Sequence, residues 1–191
     1  MRRIAIFASG SGSNAQQITL FSLQENTHFE VALIVSDNPN AYVVERAKQL
    51  DIPCRILSRA EIGGDEGVAL LRHYEVEFIV LAGYLGLISP LLIQNFPRRI
   101  LNLHPALLPN YGGKGMYGHH VHEAVIAHKE ERSGITIHLI DEEYDRGTIL
   151  CQVSCPVLGT DTPELLAERI HRLEHLYYPL VIEDFVQRTH P

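Results

Sequence analysis

The chain has 191 residues, of which 46% are hydrophobic and 20% are charged. This composition excludes a disordered chain, and the length predicts a single domain over residues 1–191. Sixteen Lys and Arg against 23 Asp and Glu give a net charge of -7, the wrong sign for a surface that binds nucleic acid through its phosphates. No stretch approaches the roughly 18 apolar residues of a membrane span. We therefore expect a cytoplasmic protein without nucleic-acid or membrane partners.

Apolar runs rich in Ile and Val alternate with amphipathic stretches, which is the pattern of strands and helices in a mainly parallel sheet. Helices are expected over residues 13–24 and 40–50 and in a stretch that ends near residue 74. The fourth apolar run is apolar nearly throughout, which suits a strand in the middle of the sheet. Five strands are predicted in this part of the chain, at residues 3–9, 31–36, 53–58, 77–83 and 99–105.

The pattern changes in the second half of the chain. Segments 135–141 and 148–154 alternate strictly between apolar and polar residues, as half-exposed or edge strands do, and an acidic turn separates them. A helix is expected around residues 119–129, before these strands. The sequence thus predicts an α/β fold with an open, mainly parallel twisted sheet that is mixed at one edge and has helices on both faces.

A long final helix is expected to begin at Thr162. This residue is suited to the N-cap, Pro163 to the first helical position, and Glu164 to the positive end of the helix dipole. Pro179 lies inside the predicted helix, where its ring and missing N–H disfavour regular helix. A kink or break is expected there.

A glycine-rich turn, GSGSN at residues 10–14, joins the first predicted strand to the first helix. Its free amides and the helix dipole favour an anion, so a phosphate site is expected, with an ordinary capped turn as an equal alternative. Gly10, Gly12 and Ala15 also fit the G-x-G-x-x-A pattern, and Asp37 follows the second strand where a dinucleotide fold places its ribose-binding acid. A dinucleotide-binding module or an oxidoreductase therefore remains a second interpretation.

Asn102 and His104 stand at the carboxyl end of the fifth predicted strand. Residues two apart on a strand share a face, and ligands bind at this edge of open parallel sheets. An amide beside an imidazole suits a developing oxyanion, whereas the alternative is a buried pair satisfied by the backbone. The glycine-rich loop that follows favours function. For the acidic turn after residue 140, two interpretations remain: a solvated hairpin tip or a functional segment.

Cysteine and histidine give no metal-binding pattern. The three cysteines have no ligand spacing, and Cys151 and Cys155 fall on the same face of an alternating segment, where buried thiols are expected. No carboxylate or cysteine completes a ligand set near the crowded histidines, so a solvated helix start is favoured and no metal is expected. These histidines are His119, His120, His122 and His128.

Five segments in chain order carry a resemblance to a known family: FASGSGSN, VLAGYLGLIS, ILNLHPALLP, ITIHLIDEEYDRGTIL and LEHLYYPLVI. Together they resemble the glycinamide ribonucleotide formyltransferases of purine biosynthesis, over essentially the whole chain. The N-x-H-P-x-L-L-P motif with a downstream aspartate is shared by formyltransferases that use 10-formyltetrahydrofolate. The early G-S-G-S-N type turn and the compact length are particular to the glycinamide ribonucleotide branch.

The resemblance implies a Rossmann-like formyltransferase fold and transfer of the formyl group of 10-formyltetrahydrofolate to the amine of glycinamide ribonucleotide, by a monomer or homodimer. It implies Asn102, His104 and Asp145 as catalytic residues and His138 as a supporting residue. The substrate contacts that it implies are Gly12, Ser13, Asn14, Gly83, Pro105 and Glu174. The folate pocket that it implies consists of Leu85, Gly86, Leu87, Ile88, Asn102, Ile140, Asp141, Glu142, Glu143 and Tyr144.

The chain departs from the family pattern in three places. Gly86 stands where well-known members carry an arginine beside the folate, and Arg146 replaces a glycine. The loop around residues 110–122 is several residues longer than the common version. Arg59 is the candidate for an arginine that the family places between strands three and four.

Two other families are similar around the same catalytic residues. Methionyl-tRNA formyltransferase is expected to carry a further basic domain, and formyltetrahydrofolate hydrolase an extra N-terminal domain. The length and acidity of this chain favour the glycinamide ribonucleotide branch over both.

Overall fold

The structure, a computed structural model, describes residues 1–113, 115–140 and 147–189. In chain order its elements are β1 Arg2–Phe7, α1 Ser13–Ser22, β2 Phe29–Ser36, α2 Tyr42–Gln49, β3 Cys54–Ile56, α3 Arg59–Gly63, α4 Asp65–His73, β4 Phe78–Leu81, α5 Pro90–Asn95, β5 Ile100–His104, α6 His119–Ala127, β6 Arg132–Leu139, β7 Ile149–Pro156 and α7 Pro163–Arg188. Among the described helices, none combines the length and the apolarity that crossing a bilayer requires.

One sheet contains all of the described strands, in the order β3-β2-β1-β4-β5-β6-β7. Strands β1 to β5 are parallel, and β6 is antiparallel to both of its neighbours. Helices α1, α2, α6 and α7 cover one face and α3, α4 and α5 the other. The predicted α/β fold class, with a sheet mixed at one edge, is confirmed.

The order of the strands creates a crevice at one edge of the sheet. Strand β1 lies between β2 and β4, so the chain leaves β1 in one direction and returns on its other side. At such a switch point the loops at the carboxyl ends of neighbouring strands diverge and leave room for a ligand. The loops after β1, β4 and β5 all reach this edge, and all four residues of β4 are buried at the centre of the sheet, as predicted.

Strand β6 departs from the expectation of a half-exposed strand, because it is buried on both faces. Helix α7 packs on one face. The segment after β5 covers the other, where the Thr136 hydroxyl donates to the Ala106 carbonyl at 2.6 Å and accepts the Leu108 amide at 3.0 Å. Strand β7 is the half-exposed edge strand that the alternation predicted.

Three helix predictions need correction. The stretch that ends near residue 74 is two helices, because Gly64 takes an extended conformation between α3 and α4. Helix α5 was not predicted, although Ser89 caps it through the Leu92 amide and Pro90 occupies its first turn. Of the kink or break expected at Pro179, the break is wrong: α7 runs through the proline, and buried side chains before and after it hold both halves against the sheet.

Tyr178 determines where α7 sits on the sheet. Its side chain is fully buried, and its hydroxyl donates toward the carbonyls of Leu81 and Leu101, at 3.0 and 3.3 Å. These carbonyls belong to β4 and β5. Because residues four apart on a helix share a face, Glu174 is brought to the ligand-binding edge of the same two strands.

Tyr178→Phe tests this anchor. The substitution keeps the ring and removes the hydroxyl, so we expect the free energy of unfolding to fall by about 1–2 kcal/mol in urea denaturation. Tyr177→Phe is the matched control, since Tyr177 is only partly buried and its hydroxyl makes no hydrogen bond within the described residues. Its cost should stay below about 0.5 kcal/mol. Equal effects of the two substitutions would contradict the anchoring role.

Candidate active site

A cavity of about 650 Å³ lies at the carboxyl ends of β1, β4 and β5. This volume falls within the range of pockets for small molecules. The structure brings together at its walls every predicted site residue that it describes: Gly12, Ser13, Asn14, Gly83, Leu85, Gly86, Leu87, Ile88, Asn102, His104, Pro105, Ile140 and Glu174. The remaining predicted residues, Asp141, Glu142, Glu143, Tyr144 and Asp145, lie outside the described residues.

The turn after β1 opens one end of the cavity. Gly12 has a φ of +71°, and a Cβ there would lie 2.4 Å from Cγ2 of Val43, so both the backbone and the close approach of α2 require glycine. No side chain caps α1. Within the described residues the turn thus lacks the side-chain cap that the alternative required, and the first amides of α1, beginning at Ser13, lie at the positive end of the helix dipole, where an anion is favoured.

Glu174 faces this turn from α7. Its side chain is 5% exposed, and its Oε2 accepts a 2.7 Å hydrogen bond from Nδ2 of Asn14. Burial raises the pKa of the Glu174 carboxyl, while Asn14 and His171 oppose the rise. A buried acceptor with one oxygen bound by Asn14 can receive hydroxyl donors from a ligand in the cavity.

Asn102 is held by the neighbouring antiparallel strand. Residue 102 pairs with His138, and the Asn102 Nδ2 lies 3.1 Å from the His138 Nε2. The other ring nitrogen, Nδ1, lies 3.0 Å from the carbonyl oxygen of Leu139, which can only accept. Nδ1 therefore carries the proton in the neutral ring and Nε2 accepts from Asn102. This arrangement fixes the amide of Asn102 with its nitrogen toward His138.

His104 is also oriented by a backbone carbonyl. Its side chain is 4% exposed, and its Nε2 lies 2.7 Å from the carbonyl oxygen of Tyr111. This bond assigns the proton of the neutral ring to Nε2, so Nδ1 is the atom at which the ring gains charge. The Tyr111 hydroxyl is in turn held by Glu130, at 2.8 Å, and by His128. Tyr111, at the base of the long loop after β5, thus links this loop to the His104 imidazole.

The crowded histidines divide into two groups. His119, His120 and His128 are exposed, as expected of a solvated helix start, although His119 also lines the cavity. His122 contradicts that interpretation, because it is 3% exposed and lines the cavity. Burial, together with neighbouring histidines, lowers the pKa of His122 to about 4, so it is neutral at pH 7. Within the described ranges, no three His, Cys, Asp or Glu side chains are grouped as metal ligands.

Several wall residues were missed, and two of them lie on α7. Ala167 and His171 line the cavity from α7. They stand seven and three residues before Glu174, on one helical face, so a helical projection around Glu174 would have identified them. The sequence pattern alone offered no reason to draw this projection, because only the family resemblance distinguished Glu174 from an ordinary surface residue.

Gly86 is explained by its neighbour Tyr84. A Cβ at position 86 would lie 2.4 Å from Oη of Tyr84, whose ring packs edge-to-face on Phe7 with 5.6 Å between centroids. A side chain at position 86 therefore needs a different placement of the Tyr84 ring.

Asp37 does not line the cavity. Its side chain is 4% exposed, and Nε of Arg59 donates to its Oδ2 at 2.6 Å. A ribose-binding acid must present its oxygens to the ligand, whereas this carboxylate is buried and engaged by a guanidinium. The dinucleotide interpretation is therefore not favoured.

Comparison with known proteins agrees with this geometry. The formyl transferase family model matches residues 2–182. The chain is 42% identical to the chloroplastic phosphoribosylglycinamide formyltransferase of Arabidopsis thaliana, covering 95% of this chain and 64% of that protein. It is 37% identical to the phosphoribosylglycinamide formyltransferase of Bacillus subtilis, covering 97% and 95%. The chain thus spans less than two thirds of the plant relative's length but nearly all of the bacterial one.

A solved structure gives the same result. The crystal structure of phosphoribosylglycinamide formyltransferase from Bacillus halodurans superposes with a TM-score of 0.88 at 36% identity, covering 98% of this chain and 96% of that one. The match of fold and sequence extends over the strands and loops that build the cavity. The chain belongs to the formyl transferase family, in its phosphoribosylglycinamide formyltransferase branch.

Proposed function

We propose that this protein transfers the formyl group of 10-formyltetrahydrofolate to the amine of glycinamide ribonucleotide, a one-carbon step of purine and IMP biosynthesis in the cytoplasm. The observation that carries the proposal is the cavity itself. An open helix N-terminus, a buried carboxylate and the Asn102–His104 pair all meet there at one switch point. A phosphate, a ribose and a reacting carbonyl are thus matched by groups on neighbouring walls.

The ribonucleotide occupies the end of the cavity near α1. Its phosphate binds the amides of the turn at Gly12, Ser13 and Asn14, where the dipole of α1 favours negative charge. The ribose hydroxyls donate to Glu174. Gly83 and Pro105 form the walls between this end and the catalytic pair, so the substrate amine points toward Asn102 and His104.

The folate occupies the other end. Residues 85–88, together with Ile140, form an apolar wall, and the side chains of Leu85 and Leu87 are 54% and 65% exposed beside the cavity. Exposed leucines at a cavity rim suit a flat, partly apolar ring. Residues 141–144 complete this pocket in our proposal.

The reaction is a direct acyl transfer. The lone pair of the amine attacks the formyl carbon, and the carbonyl π electrons move to oxygen. The Asn102 amide and the protonated His104 donate to this oxyanion, and one such donor contributes roughly 3 kcal/mol. When the oxyanion collapses, the bond from carbon to N10 breaks. The amine loses a proton and N10 gains one, with Asp145 and His104 as the relay.

This mechanism uses no nucleophilic side chain and no metal. Both substrates are held together in one cavity, so proximity supplies a large share of the acceleration. Asp145 favours the imidazolium form of His104 by its opposite charge. His138 supports the reaction indirectly, because it holds the side-chain amide of Asn102.

A coupled assay tests the proposed function. Purified protein with glycinamide ribonucleotide and 10-formyltetrahydrofolate should yield formylglycinamide ribonucleotide and tetrahydrofolate in equal amounts, and a chelator should leave the rate unchanged. In parallel thermal melts, the folate should raise Tm and NAD(P)H should not, because only a true ligand stabilises the native state. No turnover together with stabilisation by NAD(P)H would replace the proposal with the dinucleotide interpretation.

A separate prediction concerns which acidic residue of the turn after β6 takes part in catalysis. Asp145→Asn keeps the shape and removes the charge, so it should lower kcat severely and leave both KM values within a modest factor. The limb of the pH profile that reports the His104 imidazolium should move to lower pH, because the charged form loses its partner.

Asp141→Asn is the matched control for this substitution. It should be mild, because only the backbone of residue 141 is proposed to face the folate. A crippled Asp141→Asn variant beside an active Asp145→Asn variant would show that the family register was placed wrongly across the turn.

A further inference from the structure

Tyr111, in the loop after β5, adopts a backbone conformation that its residue type rarely takes. Its φ is +56°, in the left-handed region, where the Cβ of an L-residue lies too close to the following carbonyl oxygen. A bulky residue keeps such a conformation only where the surrounding structure holds it there. The contacts of Tyr111 with the rest of the chain must therefore supply this hold.

The Tyr111 side chain is held at its hydroxyl. Its Oη lies 2.8 Å from Oε1 of Glu130 and 3.2 Å from Nδ1 of His128. A carboxylate only accepts, so the single hydroxyl proton goes to Glu130, and the hydroxyl oxygen accepts from the His128 N–H. Burial, the hydrogen bond to Glu130 and the charge of Glu130 raise the pKa of Tyr111 to about 12. The hydroxyl therefore remains a donor at neutral pH.

Both partners of the hydroxyl belong to the short turn between α6 and β6. The N–H of Lys129 donates to the Ile126 carbonyl at 3.0 Å. The N–H of Glu130 donates to the Val125 carbonyl at 3.2 Å. With Lys129 at a φ of +53°, these two bonds form a Schellman motif, which closes the end of a helix. Glu130 is thus fixed to α6 by its backbone, and β6 begins two residues after it.

The backbone of Tyr111 meets His104 on the other side of the residue. The Tyr111 carbonyl oxygen lies 2.7 Å from Nε2 of His104, whose side chain is 4% exposed. The described wall residues of the cavity include neither Tyr111, nor His128, nor Glu130. Together with Asn110, these three residues line a separate groove at the surface. One residue therefore connects a turn outside the cavity to an imidazole at the cavity wall.

We propose that Tyr111 and Glu130 are positioning residues that hold the His104 imidazole from outside the cavity. Glu130 holds the Tyr111 hydroxyl, and the anchored side chain keeps the backbone of Tyr111 in its left-handed conformation. The Tyr111 carbonyl thereby keeps its place beside Nε2 of His104. The consequence for formyl transfer rests on the proposed function. The orientation of the ring does not, because it depends only on contacts within the chain.

Tyr111→Phe and Glu130→Ala test this role through the division between kcat and KM. Each should lower kcat by about fivefold or more, because a less constrained imidazole spends less time in the orientation that stabilises the oxyanion. Both KM values should stay within about twofold of the parent, because neither side chain lines the cavity. Tyr111→Phe removes only a hydroxyl and Glu130→Ala truncates an exposed side chain, so both variants should fold.

The double variant and a neighbouring glutamate supply the controls. Combining Tyr111→Phe with Glu130→Ala should give the kcat of the more affected single variant, because both changes break the same hydrogen bond. Glu131→Ala should leave kcat unchanged, since the exposed Glu131 side chain makes no hydrogen bond or ion pair within the described part of the chain. An unchanged kcat in Tyr111→Phe, independent losses that multiply in the double variant, a raised KM in place of a lowered kcat, or an equal loss in Glu131→Ala would each overturn the proposal.

NMR of the imidazole nitrogens provides a readout that needs no substrate. In the ligand-free parent protein, the neutral His104 ring should show its proton on Nε2, and in Tyr111→Phe and Glu130→Ala the two nitrogen signals should move toward each other as the tautomers mix. The ring of His138, which has other partners, should keep its signals. Unchanged His104 signals in either variant would contradict the positioning role. If the signals change while neither the variants nor the parent protein transfers formyl groups, the proposed function fails and the positioning role stands.

Discussion

The docking of α7 on the sheet is the constraint on which the cavity depends. The Tyr178 hydroxyl lies between carbonyls of β4 and β5, and the helix cannot slide along the sheet without breaking this contact inside the core. One turn earlier, Glu174 meets Asn14, from the other end of the chain. The glycine-rich turn at residues 10–14 and the buried Glu174 carboxylate thus lie together because Tyr178 fixes the position of α7 on the sheet.

The orientation of Asn102 and His104, the pair proposed to act in catalysis, depends on backbone carbonyls. The Leu139 carbonyl sets the tautomer of His138, which then fixes the Asn102 amide. The Tyr111 carbonyl sets the tautomer of His104. Carbonyls are rigid acceptors held by the sheet and the loop, so the donors that we propose for the oxyanion need little reorganisation as charge develops. The antiparallel strand β6 is the element that makes the first of these arrangements possible.

The sequence contained enough information for the alternation of strands and helices, because the apolar runs and the helix start signals are local. It also placed Asn102 and His104 at the correct end of β5 by strand periodicity alone. The burial of β6 could not be anticipated, since it depends on a loop that folds back over Thr136. His122 was taken for part of a solvated helix start, and Glu174 was assigned to the site only through the family resemblance, because the burial of both depends on the packing of α6 and α7 across the cavity.

Asp37 shows the limit of motif reasoning most directly. Its position after β2 is that of a ribose-binding acid, and only the side chain of Arg59, more than twenty residues later, shows that the carboxylate is already engaged. A spacing pattern cannot distinguish these roles, because it contains no information about the partner.

The measurement that tests the central claim most directly compares turnover with binding in His104→Ala. The account predicts that kcat falls by about a hundredfold or more, because a donor to the oxyanion is lost. Calorimetric Kd values for glycinamide ribonucleotide and for a stable folate analogue should stay within about threefold of the parent, because His104 acts mainly in the transition state. Comparable turnover in the variant, or a loss of turnover fully explained by weaker binding, would contradict the account.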